Sequence, residues 1–335
     1  MENSREYVHF LAKNEPPVLA FKGDTELYEW QEEAREKLKE LLGLPLRGCD
    51  DNFVIKEKMH RDGYKQIDFK FHSESECVVP CSLLIPDEMT APLPVVICLQ
   101  GHSSGMHISL GISKFDEDKE SIDGGRDFAV QAVKEGYCAI AMDQRYMGGR
   151  GQDGKGTPAC FSDNAAMDTL LMGRTAIGER VWDICRLIDV IEKHLTQYID
   201  FDRIICMGNS GGGTATFYAS CIEERIWMSI PSCSVCTYEA SIMAMYHCPC
   251  NYIPGIRKYF NMGDLGCLIA PRNLIVVCGK EDEIFPLYGV EESFETIYSA
   301  YKKIGMEEKC CLVIGDGGHR FYPDDVWPIV RTKSV

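Results

Sequence analysis

Residues 204–213 read IICMGNSGGG, an apolar run that ends in a serine enclosed by glycines. Gly208, Asn209, Ser210, Gly211 and Gly212 fit G-x-S-x-G, the pattern of a sharp strand-to-helix turn that lifts a serine hydroxyl above a sheet. The glycines have a steric reason: the turn needs unusual backbone angles, and a β-carbon beside the serine would collide with the neighbouring strand or helix. A serine at a helix N-terminus also has free backbone N–H groups beside it that can stabilise an oxyanion. The same pattern arises in turns that merely permit close packing, so partner residues must decide between the two.

A serine attacks a carbonyl only when a base takes its proton, and the usual base is histidine held by an acid. Of eight histidines, His9, His60 and His72 come early, His194 ends a helical pattern, His102 and His107 follow an early strand, and His247 lies in an irregular segment. His319 follows a late strand, in CCLVIGDGGHRFYPD, on a glycine-flanked loop. The orienting acid is expected in the loop after the intervening strand, where NLIVVCGKEDEIFP offers Glu281, Asp282 and Glu283. Asp282 is selected for its short side chain and for the tight loop that Pro286 implies. The second oxyanion donor is expected from LQGHSSGM, with the His102 amide paired with that of Gly211; the His102 side chain touching substrate is the alternative.

These residues need strands to hold them. PVVICLQ, YCAIAMD, RIICMG, RIWMSI, NLIVVCG and CCLVIGD read as buried strands, separated by helical patterns at DGGRDFAVQAVKEG, TAIGERVWDICRLIDVIEKHL, GGGTATFYASCIEER and VEESFETIYSAYKKIG. That alternation predicts a mostly parallel α/β sheet covered on both faces. Ahead of it, IKEKM, YKQIDFKFHS and VVPCSLLIP alternate as antiparallel strands. The segment from Thr25 to Leu42 puts Leu27, Trp30, Ala34, Leu38, Leu41 and Leu42 on one helix face, ended by Gly43 and Pro45, and this face is expected to pack on the parent fold. We expect a single domain over 1–335, with a helical lead-in over 1–50. Two irregular insertions, 146–174 and 234–270, follow strand ends and are expected to cover the active site.

The net charge of −16 repels polyanions such as nucleic acid. The chain opens without a basic start or an apolar core of secretory type, its apolar runs are too short to span a bilayer, and its seventeen cysteines fall largely in apolar strands. A cytoplasmic protein with no membrane partner is expected.

With these elements in order, the sequence resembles the α/β-hydrolase superfamily, in its acetyl xylan esterase-like branch, related to the dienelactone hydrolase and prolyl oligopeptidase groups. VVICLQGHSSG, AMDQRYMGGRG, IGERVWDICRLIDVI, MGNSGGG, GKEDEIFP and GDGGHRF carry the resemblance. It implies an α/β-hydrolase fold with an eight-stranded sheet and ester hydrolysis through an acyl-serine, with Ser210 as nucleophile, Asp282 as acid and His319 as base. Dienelactone hydrolases carry a cysteine nucleophile, which the serine here argues against. Many relatives place His-Gly where this chain has Gln100-Gly101.

The expected substrate is a small acyl ester, acetyl-like and on a sugar, and no cofactor is expected, since neither a P-loop lysine nor a dinucleotide fingerprint is present. Alternatives are a serine peptidase, for which the chain lacks room for a propeller, and a non-enzymatic binding protein on the same scaffold. Cys233, Cys236, His247, Cys248 and Cys250 have the right types for zinc, but thiols pervade the chain, and buried thiols with no metal are the expectation. Asp143 and Arg145 are expected to pair and brace the loop beside the site.

Overall fold

The computed structural model describes residues 3–151 and 163–334. Nine strands form one sheet: β1 (Val54–Arg61), β2 (Tyr64–Glu74), β3 (Cys77–Pro86), β4 (Leu93–Leu99), β5 (Cys138–Met142), β6 (Ile199–Asn209), β7 (Ile226–Ser232), β8 (Asn273–Gly279) and β9 (Cys310–Gly315). Their spatial order is β1-β2-β3-β5-β4-β6-β7-β8-β9. The pairings β1–β2, β2–β3 and β3–β5 are antiparallel, and the rest of the sheet is parallel. The eight strands implied by the family resemblance are therefore nine. The additional one is the edge strand β1, which is exposed along nearly its whole length and holds its place by pairing with β2 from Val54↔Lys70 to Arg61↔Tyr64.

Strand alternation divides the core in two. In β4, Val95, Ile97 and Leu99 face one apolar layer while Val96 and Cys98 face the other. The helices Leu27–Leu42, Ala176–His194, Gly211–Ile222 and Leu287–Lys303 cover the first layer. Phe128–Lys134 and Pro323–Ser334 cover the second. Each fully buried Leu, Ile or Phe contributes about 1.5–3 kcal/mol, and these layers hold most of them.

The lead-in helix lies where its stripe predicts. Leu27, Trp30, Ala34, Leu38 and Leu42 are buried, and Gln31 donates to the carbonyls of Cys267 and Ala270, both at 2.8 Å. Gly43, at φ 75°, ends the helix in the left-handed conformation that glycine adopts without strain. Among the described residues no helix is long and apolar enough to cross a membrane.

The loop after β5 is braced differently from expectation. Asp143 does not pair with Arg145; its carboxylate accepts from the amides of Met106 (2.7 Å) and Gly149 (3.1 Å), tying this loop to the one after β4. Arg145 turns the other way and forks onto Asp183, with Nη2 at 2.8 Å from Oδ1 and Nε at 3.0 Å from Oδ2. Arg150 meets the same carboxylate at 2.6 Å, and Glu74, Glu179 and Arg174 complete a buried ion network. A bidentate fork on a helix residue is a better partner for a guanidinium than a carboxylate already filled by amides.

Candidate active site

The elbow forms as its glycines predict. Ser210 sits at φ 55° and ψ −125°, a conformation that a residue with a β-carbon holds only when its surroundings enforce it. Its N–H donates to the Ser232 carbonyl at 2.9 Å, and its own carbonyl accepts from the Thr214 amide at 2.8 Å. Close approach explains the flanking glycines: a β-carbon on Gly212 would lie 2.2 Å from the Leu99 carbonyl oxygen, and one on Gly208 would lie 2.5 Å from the Gly212 carbonyl carbon.

His319 and Asp282 meet, with Nδ1 2.8 Å from Oδ2. The other oxygen of Asp282 accepts from the amides of Ile284 (2.9 Å) and Phe285 (3.0 Å), so the loop after β8 holds the carboxylate independently of the imidazole. Burial pushes the Asp282 carboxyl up, but the hydrogen bond and charge of His319 and the two amides outweigh it and hold the group below its ordinary value. The His319 ring stacks on Phe285, centroids 5.9 Å apart. With Nδ1 engaged, Nε2 is the nitrogen left to exchange a proton.

Ser210, Gly211, His102 and His319 line one cavity of about 540 Å³. A second cavity, of about 820 Å³ and lined by Glu117, Glu120, Asp123 and Arg320, shares His102, Arg126 and His319 with the first. These three side chains thus stand where the two cavities meet. The loop after β4 packs on the elbow: a β-carbon on Gly101 would lie 3.0 Å from the Ser210 β-carbon, and the His102 ring is 2.9 Å from where one on Gly211 would be. His107 takes no part in the cavity with Ser210; its Nε2 lies 2.9 Å from Asp118 Oδ2 and 3.1 Å from Ser104 Oγ, a closed set that braces the same loop.

Sequence reasoning missed Arg126. Its guanidinium makes no hydrogen bond or ion pair among the described residues, and its Nε is buried without a partner. Burial draws it below the usual arginine value. Gln100, the residue that departs from His-Gly, donates to the Arg126 carbonyl at 2.7 Å and to Ser109 at 2.6 Å, which positions the arginine's backbone. The only signal in the sequence was an arginine in the turn GGRD, which reads equally well as a helix start.

The five candidate zinc ligands do not form one cluster. Cys233 lies against Asp282 and His319, Cys236 against Pro286, and His247 beside Ser241. Cys248 and Cys250 gather instead with His102. Of the insertion 146–174, residues 152–162 lie outside the described residues; in 234–270, Met245, Tyr246, His247, Cys248 and Asn251 line the cavity of Ser210.

The sequence profile of the Abhydrolase family matches residues 2–309. The chain belongs to this family. Among curated proteins it resembles YtaP of Bacillus subtilis (strain 168), provisionally named a hydrolase, with 23% identity over 249 residues, 72% of this chain and 77% of that one. Its fold matches a Bacteroides fragilis NCTC 9343 protein provisionally assigned as an acetyl xylan esterase (TM-score 0.83, 20% identity, 99% and 95% of the two chains). It also matches a glucuronoyl esterase from Solibacter usitatus (TM-score 0.69, 15% identity, 95% and 97% covered). Identities this low describe a shared Abhydrolase fold, so chemistry must be argued from the residues.

Proposed function

We propose that the chain is a serine esterase that hydrolyses small acyl esters, acetyl-like and carried on a sugar, through an acyl-serine intermediate. The observation that carries this reading is the strained Ser210 in one cavity with a His319 whose Nδ1 is held by Asp282 at 2.8 Å. His319 Nε2 takes the hydroxyl proton as Ser210 Oγ attacks the ester carbonyl. The amides of Gly211 and His102 hold the oxyanion, and the alcohol leaves with the proton from the imidazole. Water, deprotonated by the same imidazole, then releases the acid. Asp282 stays ionised and keeps the imidazole in its working tautomer.

A polar alcohol suits the second cavity, whose carboxylates and arginines can hydrogen-bond hydroxyl groups. Arg126, at the junction, offers donors to a substrate oxygen, and segments 146–174 and 234–270 shape acyl and alcohol selectivity. The thiols, none of which is in a disulfide among the described residues, fit a cytoplasmic enzyme. The B. fragilis and S. usitatus proteins, named for sugar-linked esters, support the substrate class.

A fluorophosphonate probe should label the protein and fail on Ser210→Ala, and p-nitrophenyl acetate and acetylated xylo-oligosaccharides should turn over faster than long-chain esters. Absence of turnover with every ester, or equal labelling of the alanine variant, sinks the reading.

A further inference from the structure

One group of side chains in the cleft wall has chemistry that ester hydrolysis does not use. His102, Cys248 and Cys250 place their ligand atoms within 4.8 Å of one another, and His102 Nε2 is 3.0 Å from Cys250 Sγ. His102 and Cys250 are 148 positions apart in the chain, so the fold brings them together. A tetrahedral zinc ion, with Zn–S near 2.3 Å and Zn–N near 2.0–2.1 Å, asks its ligand atoms to stand about 3.5–3.8 Å apart. The 3.0 Å between His102 Nε2 and Cys250 Sγ is about half an ångström short of that spacing and the other two separations are within 4.8 Å, so shifts of about 1 Å reach it.

The local backbone favours the arrangement. Pro249 begins a short helical turn, Pro249–Asn251, and fixes the spacer of the Cys-Pro-Cys unit that presents both sulfurs to His102. Neither cysteine is in a disulfide. Arg180 Nη1 stands 3.4 Å from Cys250 Sγ, a cationic outer partner of the kind that steadies a ligating thiolate. Cys248 is half-buried and lines the cavity of Ser210, which gives an ion a path in and leaves a fourth coordination position facing the cleft. Two thiolates and an imidazole select soft or borderline cations over magnesium or calcium.

We propose that His102, Cys248 and Cys250 form a binding site for a thiophilic metal ion, zinc or its analogues cadmium and copper(I), in the wall of the substrate cleft. The ion forms two metal–sulfur bonds and one metal–nitrogen bond, and the two thiol protons pass to solvent. With two thiolates the zinc-loaded site is neutral, so Arg180 at its back remains tolerated. This proposal concerns binding alone and does not depend on the esterase reading.

The test uses the full-length protein, reduced and stripped of metal with a chelator that is then removed. Zinc titrated against a colorimetric chelator should bind with one tight equivalent. Cobalt in its place should give the near-ultraviolet thiolate-to-cobalt charge transfer and the visible bands of a tetrahedral ion. Cys248→Ala and Cys250→Ala should each weaken binding by at least the roughly 10- to 100-fold that loss of an outer partner alone costs. Cys248 is on the cavity surface, so its variant keeps the test sound should Cys250→Ala unfold, which a melting curve reports. Ser210→Ala should bind zinc like the parent, which separates this outcome from any failure of ester turnover. No zinc equivalent in the parent protein, cobalt spectra without thiolate bands, or zinc affinity unchanged in folded Cys248→Ala would each overturn the proposal.

Discussion

Two sets of buried ionisable groups sit in this fold, and they differ in how completely they are paired. Around Asp183 every charge has a partner: Arg145 and Arg150 share its carboxylate, and Glu74, Glu179 and Arg174 close the circle. Around Ser210 the pairing stops short. Asp282 is filled by His319 and two amides, yet His319 is partly open to the cleft and the Arg126 side chain has no partner among the described residues. The first set fastens the loop after β5 to the helix Ala176–His194. The second keeps unspent hydrogen-bonding capacity facing an 820 Å³ and a 540 Å³ space, where a substrate can use it. Completeness of ion pairing therefore distinguishes the charges that brace the chain from those left able to bind a ligand.

Removing one member from each set should give opposite signatures. Asp282→Asn should lower kcat by about ten-thousand-fold, the effect expected when an imidazole loses its orienting carboxylate, while leaving a folded protein at neutral pH. The fold holds the Asp282 carboxyl below its ordinary value. It therefore adds stability that is complete above the unfolded value of about 3.9 and is lost as pH falls from there through the lower folded value. Chemical unfolding of the parent and of Asp282→Asn should accordingly converge as the pH drops below about 4. Asp183→Ala should do the reverse: a loss of about 3–5 kcal/mol in unfolding free energy by urea titration, because two buried guanidinium groups are left facing each other. An Asp183→Ala protein as stable as the parent would erase the distinction between the sets.

What the sequence disclosed follows the same division. Ser210, Asp282 and His319 were legible because each closes an apolar strand at a turn rich in Gly, Asp or Pro, and such signals are local. Phe128–Lys134, Ala176–His194 and Gly211–Ile222 lie within the expected helical patterns and Leu287–Lys303 overlaps one, whereas Pro323–Ser334 was not among them. The first helix, Ser4–Asn14, was not singled out: it is eleven residues long and buries Ala12 alone. The edge strand β1 was legible as the strand IKEKM, although it is mostly charged and exposed and holds its place through its pairing with β2. Arg145 choosing Asp183 over Asp143, and His102 meeting Cys250, depend on contacts 38 and 148 residues apart, for which no local pattern exists.

Arg126 offers a sharper test of the open set. Replacing it with Ala should raise KM by about 10- to 100-fold for a sugar ester, as expected for one lost hydrogen bond to a charged group worth about 1.5–3 kcal/mol. The change for p-nitrophenyl acetate, whose alcohol has no sugar hydroxyls, should be much smaller. Stability should hold or improve, because a desolvated cation without a partner is removed. Equal KM changes for both esters would mean that Arg126 acts on the acyl side or on the fold.

The smallest effect concerns the backbone at the proposed nucleophile. Ser210 holds φ 55° and ψ −125°, a conformation that costs a residue with a β-carbon about 1–3 kcal/mol. Ser210→Gly removes that penalty but gives the unfolded chain extra freedom, worth about 0.5–1 kcal/mol against folding. Ser210→Ala loses the hydroxyl and keeps the strain. Both variants should be inactive, yet the glycine variant should be the more stable by about 1 kcal/mol, read as a higher urea midpoint at unchanged slope. On the proposed mechanism, strain at this alcohol is a stability cost of holding it clear of the sheet. If alanine proves as stable as glycine here, the elbow holds its serine without strain, and position alone would have to account for any reactivity.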